Sequence, residues 1–259
     1  MPYTLAHPAL VVPLRRWLVL GAAVAGAMAP DVGYYLPTWL ADPLHWPGTD
    51  VTHSYLGAVG FDAVVGLVMY ALWRWPVREP ALGSLPEPWR GTALETTAEV
   101  LPGRSVPVRA LLVYLSCALG SVTHVFVDVF THERPDTPDL LIDDTVFGLP
   151  IASQLQRGLS VLGLLLIAWW VVAWAREVAP LRTFSVPPRL ALLLAVVVVG
   201  GVVGALARVH VTAPTHLGAV VVESLFGSGW GAALGLLAAA LVLRAGPAAT
   251  PDSQVSSSG

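Results

Sequence analysis

The chain has 259 residues, 55% of them hydrophobic and only 12% charged, with a mean hydropathy of +0.69. An ordinary soluble domain carries about twice that charged fraction, so the composition excludes one and predicts an integral membrane protein. The formal charge of −3 carries no information about nucleic acid, but no basic patch with interleaved aromatics appears and no nucleic-acid partner is expected. A single cysteine, Cys117, excludes an internal disulfide and any cysteine-based zinc cluster, and it reads as a buried structural thiol.

At the N-terminus Arg15-Arg16 precede a short apolar run, Trp17–Ala29. Together with Ala27-Met28-Ala29 they also fit the pattern of a signal peptide, although Pro30 directly after the would-be cut argues against cleavage. Five further stretches are long enough to span a bilayer: Ser54–Trp73, Arg109–Phe130, Gly158–Ala175, Leu190–Ala207 and Leu217–Leu243. Segment 74–108 contains six prolines and few large apolar residues, and reads as a linker rather than a second domain. Segment 131–157 is an acidic loop, and 245–259 is a small, polar tail expected to be disordered. Residues 1–244 then make one membrane domain, an all-α polytopic bundle of five to six transmembrane helices.

Charge gives the orientation. Segment 74–109 holds Arg74, Arg78, Arg90, Arg104 and Arg109; segment 176–189 holds Arg176, Arg182 and Arg189; Arg244 follows the last span. Segment 30–53 carries Asp31, Asp42 and Asp50 and no arginine, and 131–157 is dominated by Glu133, Asp136, Asp139, Asp143 and Asp144. The positive-inside rule puts the arginine-rich segments in the cytoplasm and the acidic loops outside a cell membrane. Six alternating crossings would leave both ends inside, with Arg208 alone against the trend.

His124, Asp128 and His132 lie at four-residue intervals where the second full-length apolar stretch ends. At roughly 100° per residue they share one narrow arc of a helix. Ionisable groups at such depth are expensive and mark function, and neutral imidazoles with a carboxylate suit zinc or a similar divalent ion. Asp31, His53 and Asp62 lie at or near the same outer rim, so adjacent helices can gather them into one pocket. Asp62 reads as a ligand or as a carboxylate that orients a ligand imidazole. His45, His210 and His216 read as caps or solvated groups.

With these residues in hand, the chain resembles the bacterial membrane family called domain of unknown function 4184. The likeness starts with MPYTLAHPALVVPLRR around His7-Pro8 and AMAPD ending at Asp31. It continues through THSYLG with His53 and Ser54, FD at Asp62, GSVTHVFVDVFTHE with His124, Asp128, His132 and Glu133, and QRGLSVLG with Gln156 and Ser160. It covers roughly residues 1–175. The pattern is also similar to a broader set of inner-membrane proteins regarded as metal-dependent hydrolases, except that their second carboxylate after Pro-Asp is replaced here by Gly33. The resemblance implies that His7 joins the metal ligands Asp31, His53, His124, Asp128 and His132, with Ser54, Asp62, Gln156 and Ser160 behind them. One straight helix over 8–29 would hold His7 roughly 33 Å or more from Asp31. A break at Pro13 and Arg15-Arg16 would fold the segment into a re-entrant hairpin and bring His7 back, leaving five full spans.

Three functions follow as expectations. The first is a metal-dependent hydrolase of an ester or phosphoester, with Asp31 or Glu133 as general base and a lipid or lipid-linked substrate at the outer rim. The second is a proton or metal-ion pathway through Asp62, His124 and Asp128. The third is a structural polar cluster. No nucleotide loop, Gly-x-Ser-x-Gly elbow, His-Glu-x-x-His run or haem motif is present.

Overall fold

The computed structural model describes residues 4–97, 103–132, 137–146 and 148–245. Among them five helices are long and apolar enough to cross a membrane: Tyr55–Gly83, Val106–Thr131, Ile151–Val178, Pro188–Thr212 and Leu217–Ala245, called the first to fifth spans below. The only strand pairing among the described residues is a two-residue ladder, Thr145–Val146 against Leu149–Pro150, within the acidic loop. The chain is an all-α, multi-pass membrane bundle.

The N-terminus takes the hairpin form. Thr4–Leu10 and Val12–Leu14 are 3-10 helices, the chain turns through Arg15–Trp17, and Leu20–Met28 returns as an α-helix. Prolines 8 and 13 deny this segment a continuous α-helical ladder. Of the two topologies open to the sequence, six crossings or five plus a re-entrant hairpin, the structure has the second. The return helix runs parallel to the second span, with Val19 N–H donating to Ser116 Oγ at one end (3.1 Å) and Ser121 Oγ donating to Gly26 O further along (2.9 Å). Arg109 lies seven residues before Ser116, roughly 10 Å along the axis, so the hairpin turn approaches the arginine-rich end. Arg15 and Arg16 are exposed there, and the Arg16 guanidinium lies 3.8 Å from the centre of the Trp17 ring. The hairpin thus keeps the charge asymmetry that six crossings would have required.

Glycine decides how close the hairpin comes. A side chain on Gly26 would strike the backbone of Cys117, and one on Gly120 would strike the backbone of Ala23 and Ala27. With neither present, the return helix and second span touch backbone to backbone. Val11, Ala23 and Ala27 are fully buried beneath them. The third span covers the other side of the 3-10 segment through Gly163, which sits against Ala6. Protein therefore surrounds the re-entrant backbone, the condition for tolerating it at membrane depth.

The fourth and fifth spans form a second close pair. Gly200 and Gly204 face Gly227, Gly231 and Gly235, and a Cβ on several of these would meet the opposite backbone. Arg208 is explained here: its Nε lies 2.7 Å from Glu223 Oε2, and it also donates to Leu36 O (3.2 Å). The anomalous arginine is paired rather than facing lipid alone.

Segment 74–108 is more than a linker. The first span continues through a π-turn at Trp73–Val77, where Pro76 breaks the ladder, into Arg78–Gly83, and a separate helix forms at Trp89–Thr96. Trp89 is 1% exposed and donates to Ala175 O (2.9 Å), pinning the segment to the end of the third span. The expected disordered tail lies outside the described residues apart from Ala245, which ends the fifth span.

Candidate metal centre

At the acidic end of the bundle four elements converge. The 3-10 segment brings Thr4 and His7, three residues apart, so that both fall on one edge of a threefold helix. The end of the return helix brings Asp31, the turn before the first span brings His53, and the second span brings His124, Asp128 and His132. His7, Asp31, His53, His124 and Asp128 are each at most 5% exposed.

Asp31 and Asp128 are shared among the imidazoles. Asp31 Oδ1 lies 3.2 Å from His53 Nε2 and 3.5 Å from His124 Nε2. Its other oxygen accepts a 2.6 Å hydrogen bond from Thr4 Oγ1, which in turn accepts one from Tyr35 (2.8 Å). Asp128 Oδ2 lies 3.4 Å from both His53 Nε2 and His124 Nε2. Asp128 Oδ1 lies 3.8 Å from His7 Nε2 and 3.4 Å from His132 Nδ1. The His7 and His124 rings stack with centroids 3.6 Å apart.

His124 carries the most information. Its Nδ1 lies 2.7 Å from Ala27 O. A carbonyl only accepts, so Nδ1 bears the proton. In a neutral ring Nε2 then points a lone pair at two carboxylates, and no hydrogen bond satisfies it. Both nitrogens of His7, and Nε2 of His132, are likewise buried without a hydrogen-bond partner. Burial holds the His132 imidazole below its ordinary titration range, which favours the neutral form that binds metals.

A divalent ion fits this donor set. His7, Asp31 and His124 offer ligand atoms within 4.8 Å of one another, as do His53, His124 and Asp128; the two triads share His124. With metal–ligand bonds of about 2.0–2.2 Å, neighbouring ligands lie about 3.0–3.6 Å apart, and five of the nitrogen–oxygen separations are 3.2–3.5 Å. Two ionised aspartates with neutral imidazoles also make a buried charge of −2, which one divalent cation balances.

Neither Asp62 nor Ser54 hydrogen-bonds to the cluster. Asp62 is fully buried and neither carboxylate oxygen has a hydrogen-bond partner, so it does not orient a ligand imidazole through a hydrogen bond. Ser54 caps the first span, accepting from Gly57 N–H (2.9 Å). Gln156 and Ser160 lie one turn apart on the third span, with the Ser160 hydroxyl donating to Gln156 O (2.6 Å). Glu133 lies outside the described residues. Gly33 packs against the Trp46 indole, leaving no room for a second carboxylate there. His216 accepts from Ala219 N–H at the start of the fifth span, a cap as expected. Thr4 was not anticipated, although its spacing of three from His7 was the available signal.

The fold and this cluster define a multi-pass helical membrane protein with a buried histidine–aspartate centre. A family model described as a domain of unknown function, DUF4184, matches residues 1–241, and the chain belongs to that family. The match runs well past residue 175 and takes in the fourth span and most of the fifth. No curated protein and no solved structure matches the chain.

Proposed function

We propose that this protein is a membrane-embedded, metal-dependent hydrolase acting on an ester or phosphoester of a lipid or lipid-linked substrate at the outer face of a cell membrane. The observation that carries the metal is His124, whose proton is committed to Ala27 O while Nε2 faces Asp31 and Asp128 at 3.5 and 3.4 Å. His7, Asp31, His53, His124 and Asp128 would hold the ion, with His132 at the rim, and the nitrogen-rich donor set favours zinc. Bound there, a divalent ion lowers the pKa of a water and polarises a carbonyl or phosphoryl oxygen. Thr4 orients Asp31, and Ala27 orients His124, through hydrogen bonds to their far sides. His132 has the most exposed side chain of the cluster, at 23%, so substrate approaches from that side. Its neutral ring is placed to take and return a proton. Asp31, buried and already accepting from Thr4, suits a ligand better than the general base expected of it.

The test is metal content by mass spectrometry on detergent-purified protein beside a His124→Ala, Asp128→Ala double variant. Roughly stoichiometric zinc or manganese, lost in the variant, supports the centre and justifies an esterase and phosphoesterase screen. No metal in either sample after refilling with divalent ions overturns it. Asp62 favours a second reading, an ion or proton pathway, because a buried carboxylate without a partner marks such routes. Metal uptake into reconstituted vesicles that is lost in Asp62→Asn would support that reading, and uptake no faster than in empty vesicles would count against it.

A further inference from the structure

A groove of about 100 Å³ opens between the 3-10 segment, the second span and the third span, walled by His7, Leu10, Val127, Leu159, Leu162 and Leu166. His7 is the one polar side chain among the described residues that line it. Leu10, Leu162 and Leu166 are partly exposed, so the mouth of the groove faces out of the bundle. Leu159 and Leu166 stand roughly 12 and 22 Å from the outer end of the third span, at the depth of the hydrocarbon layer. Leu10 follows His7 by three residues of 3-10 helix, roughly 6 Å nearer the hairpin turn. The groove therefore runs inward from His7. His7 also belongs to the histidine–aspartate centre: its Nε2 lies 3.8 Å from Asp128 Oδ1, and neither ring nitrogen has a hydrogen-bond partner.

We propose that this groove holds one hydrocarbon chain of a membrane lipid, taken in sideways between the second and third spans, with the lipid's polar end left at the centre. As a seat for substrate it rests on the hydrolase reading above. A cavity of about 150 Å³ admits a benzene ring, so this smaller one suits a single chain rather than a fused ring or two chains side by side. Its depth selects the source, because a lipid tail lies in the hydrocarbon layer and a water-soluble ester does not. His7 and His132 flank the same Asp128 oxygen, at 3.8 and 3.4 Å. A chain that ends at His7 thus leaves its ester or phosphoester beside the exposed His132 side. Lipid tails are as apolar as leucine, so fit to the groove, not apolarity, sets the preference.

The test is photolabelling of the full-length protein in phosphatidylglycerol vesicles containing a small fraction of the same lipid with a mid-chain diazirine. Labelled residues are mapped by mass spectrometry. Leu162 and Leu166 should carry about fivefold more label than Leu165 and Val161, which are more exposed on the same helix but outside the groove, a preference of about 1 kcal/mol. Ala9→Phe and Leu166→Trp, which fill the groove from opposite walls, should each abolish the excess at Leu162, and Val161→Phe should leave it. Thermal unfolding matched to the unsubstituted protein shows that each variant is folded. Equal labelling inside and outside the groove, or an excess that survives both filling variants, overturns the proposal. Metal content of the same samples separates it from the centre. Metal without preferential labelling sinks the chain site alone, and preferential labelling in protein that takes up no metal upholds the chain site and sinks the hydrolase.

Discussion

Thr4→Val isolates the support of the proposed metal centre from its ligands. Valine keeps the shape of threonine closely, and Thr4 is 3% exposed, so the change mainly deletes one hydroxyl. That hydroxyl donates to Asp31 Oδ2 at 2.6 Å, the short distance of a charge-assisted bond. It leaves Oδ1 turned toward His53 and His124. Hydrogen bonds to charged groups contribute about 1.5–3 kcal/mol, a factor of about 10–150 in a binding constant, and losing the group behind a metal ligand typically costs about 10–100-fold in affinity. Zinc affinity, measured by competition with a chelating dye in detergent, should therefore fall by about 10–100-fold in Thr4→Val and stay near its original value in Thr4→Ser. Tyr35→Phe, one hydrogen bond further out, should cost only about two- to tenfold. Thermal unfolding of the apo proteins separates lost affinity from lost fold. Unchanged zinc affinity in Thr4→Val, or equal weakening in Thr4→Ser, would refute the reasoning.

Gly26→Ala should drive the return helix off the second span, because its Cβ would collide with the Cys117 backbone. A loss of about 1–3 kcal/mol or more in thermal stability is expected, together with weaker metal retention as Ala27 O leaves His124. Metal retention should also fall with pH. Binding requires neutral imidazoles, and burial holds His132 below its ordinary range, so a titration of bound metal should show loss only on the acid side and none on mild alkalinisation. Trp89→Ala should destabilise the protein by about 3–5 kcal/mol and free the Trp89–Thr96 helix from the third span, read as faster tryptic cleavage after Arg90 or Arg104.

Much of the architecture was legible in the chain itself. Apolar length alone marks the five spans, since only a helix satisfies its own backbone in lipid, and the i, i+4, i+8 spacing of His124, Asp128 and His132 puts them on one arc whatever surrounds them. Periodicity is a local property, however, and the centre is not local. Whether residues 4–31 formed one long helix or a hairpin depended on whether neighbours would cover a re-entrant backbone, and Gly26, Gly120 and Gly163 decided it by letting three segments touch. Only that contact brings His7 and Thr4 to Asp31 and places Ala27 O against His124. Ser54, by contrast, spends its hydroxyl on its own turn, accepting from Gly57 N–H and donating to Val51 O: a motif shows that a residue is near in sequence, while hydrogen bonds are settled by where its helix faces. The residue types and the spans were determined by the sequence; which histidines share which carboxylate was decided by close packing between segments nearly a hundred residues apart.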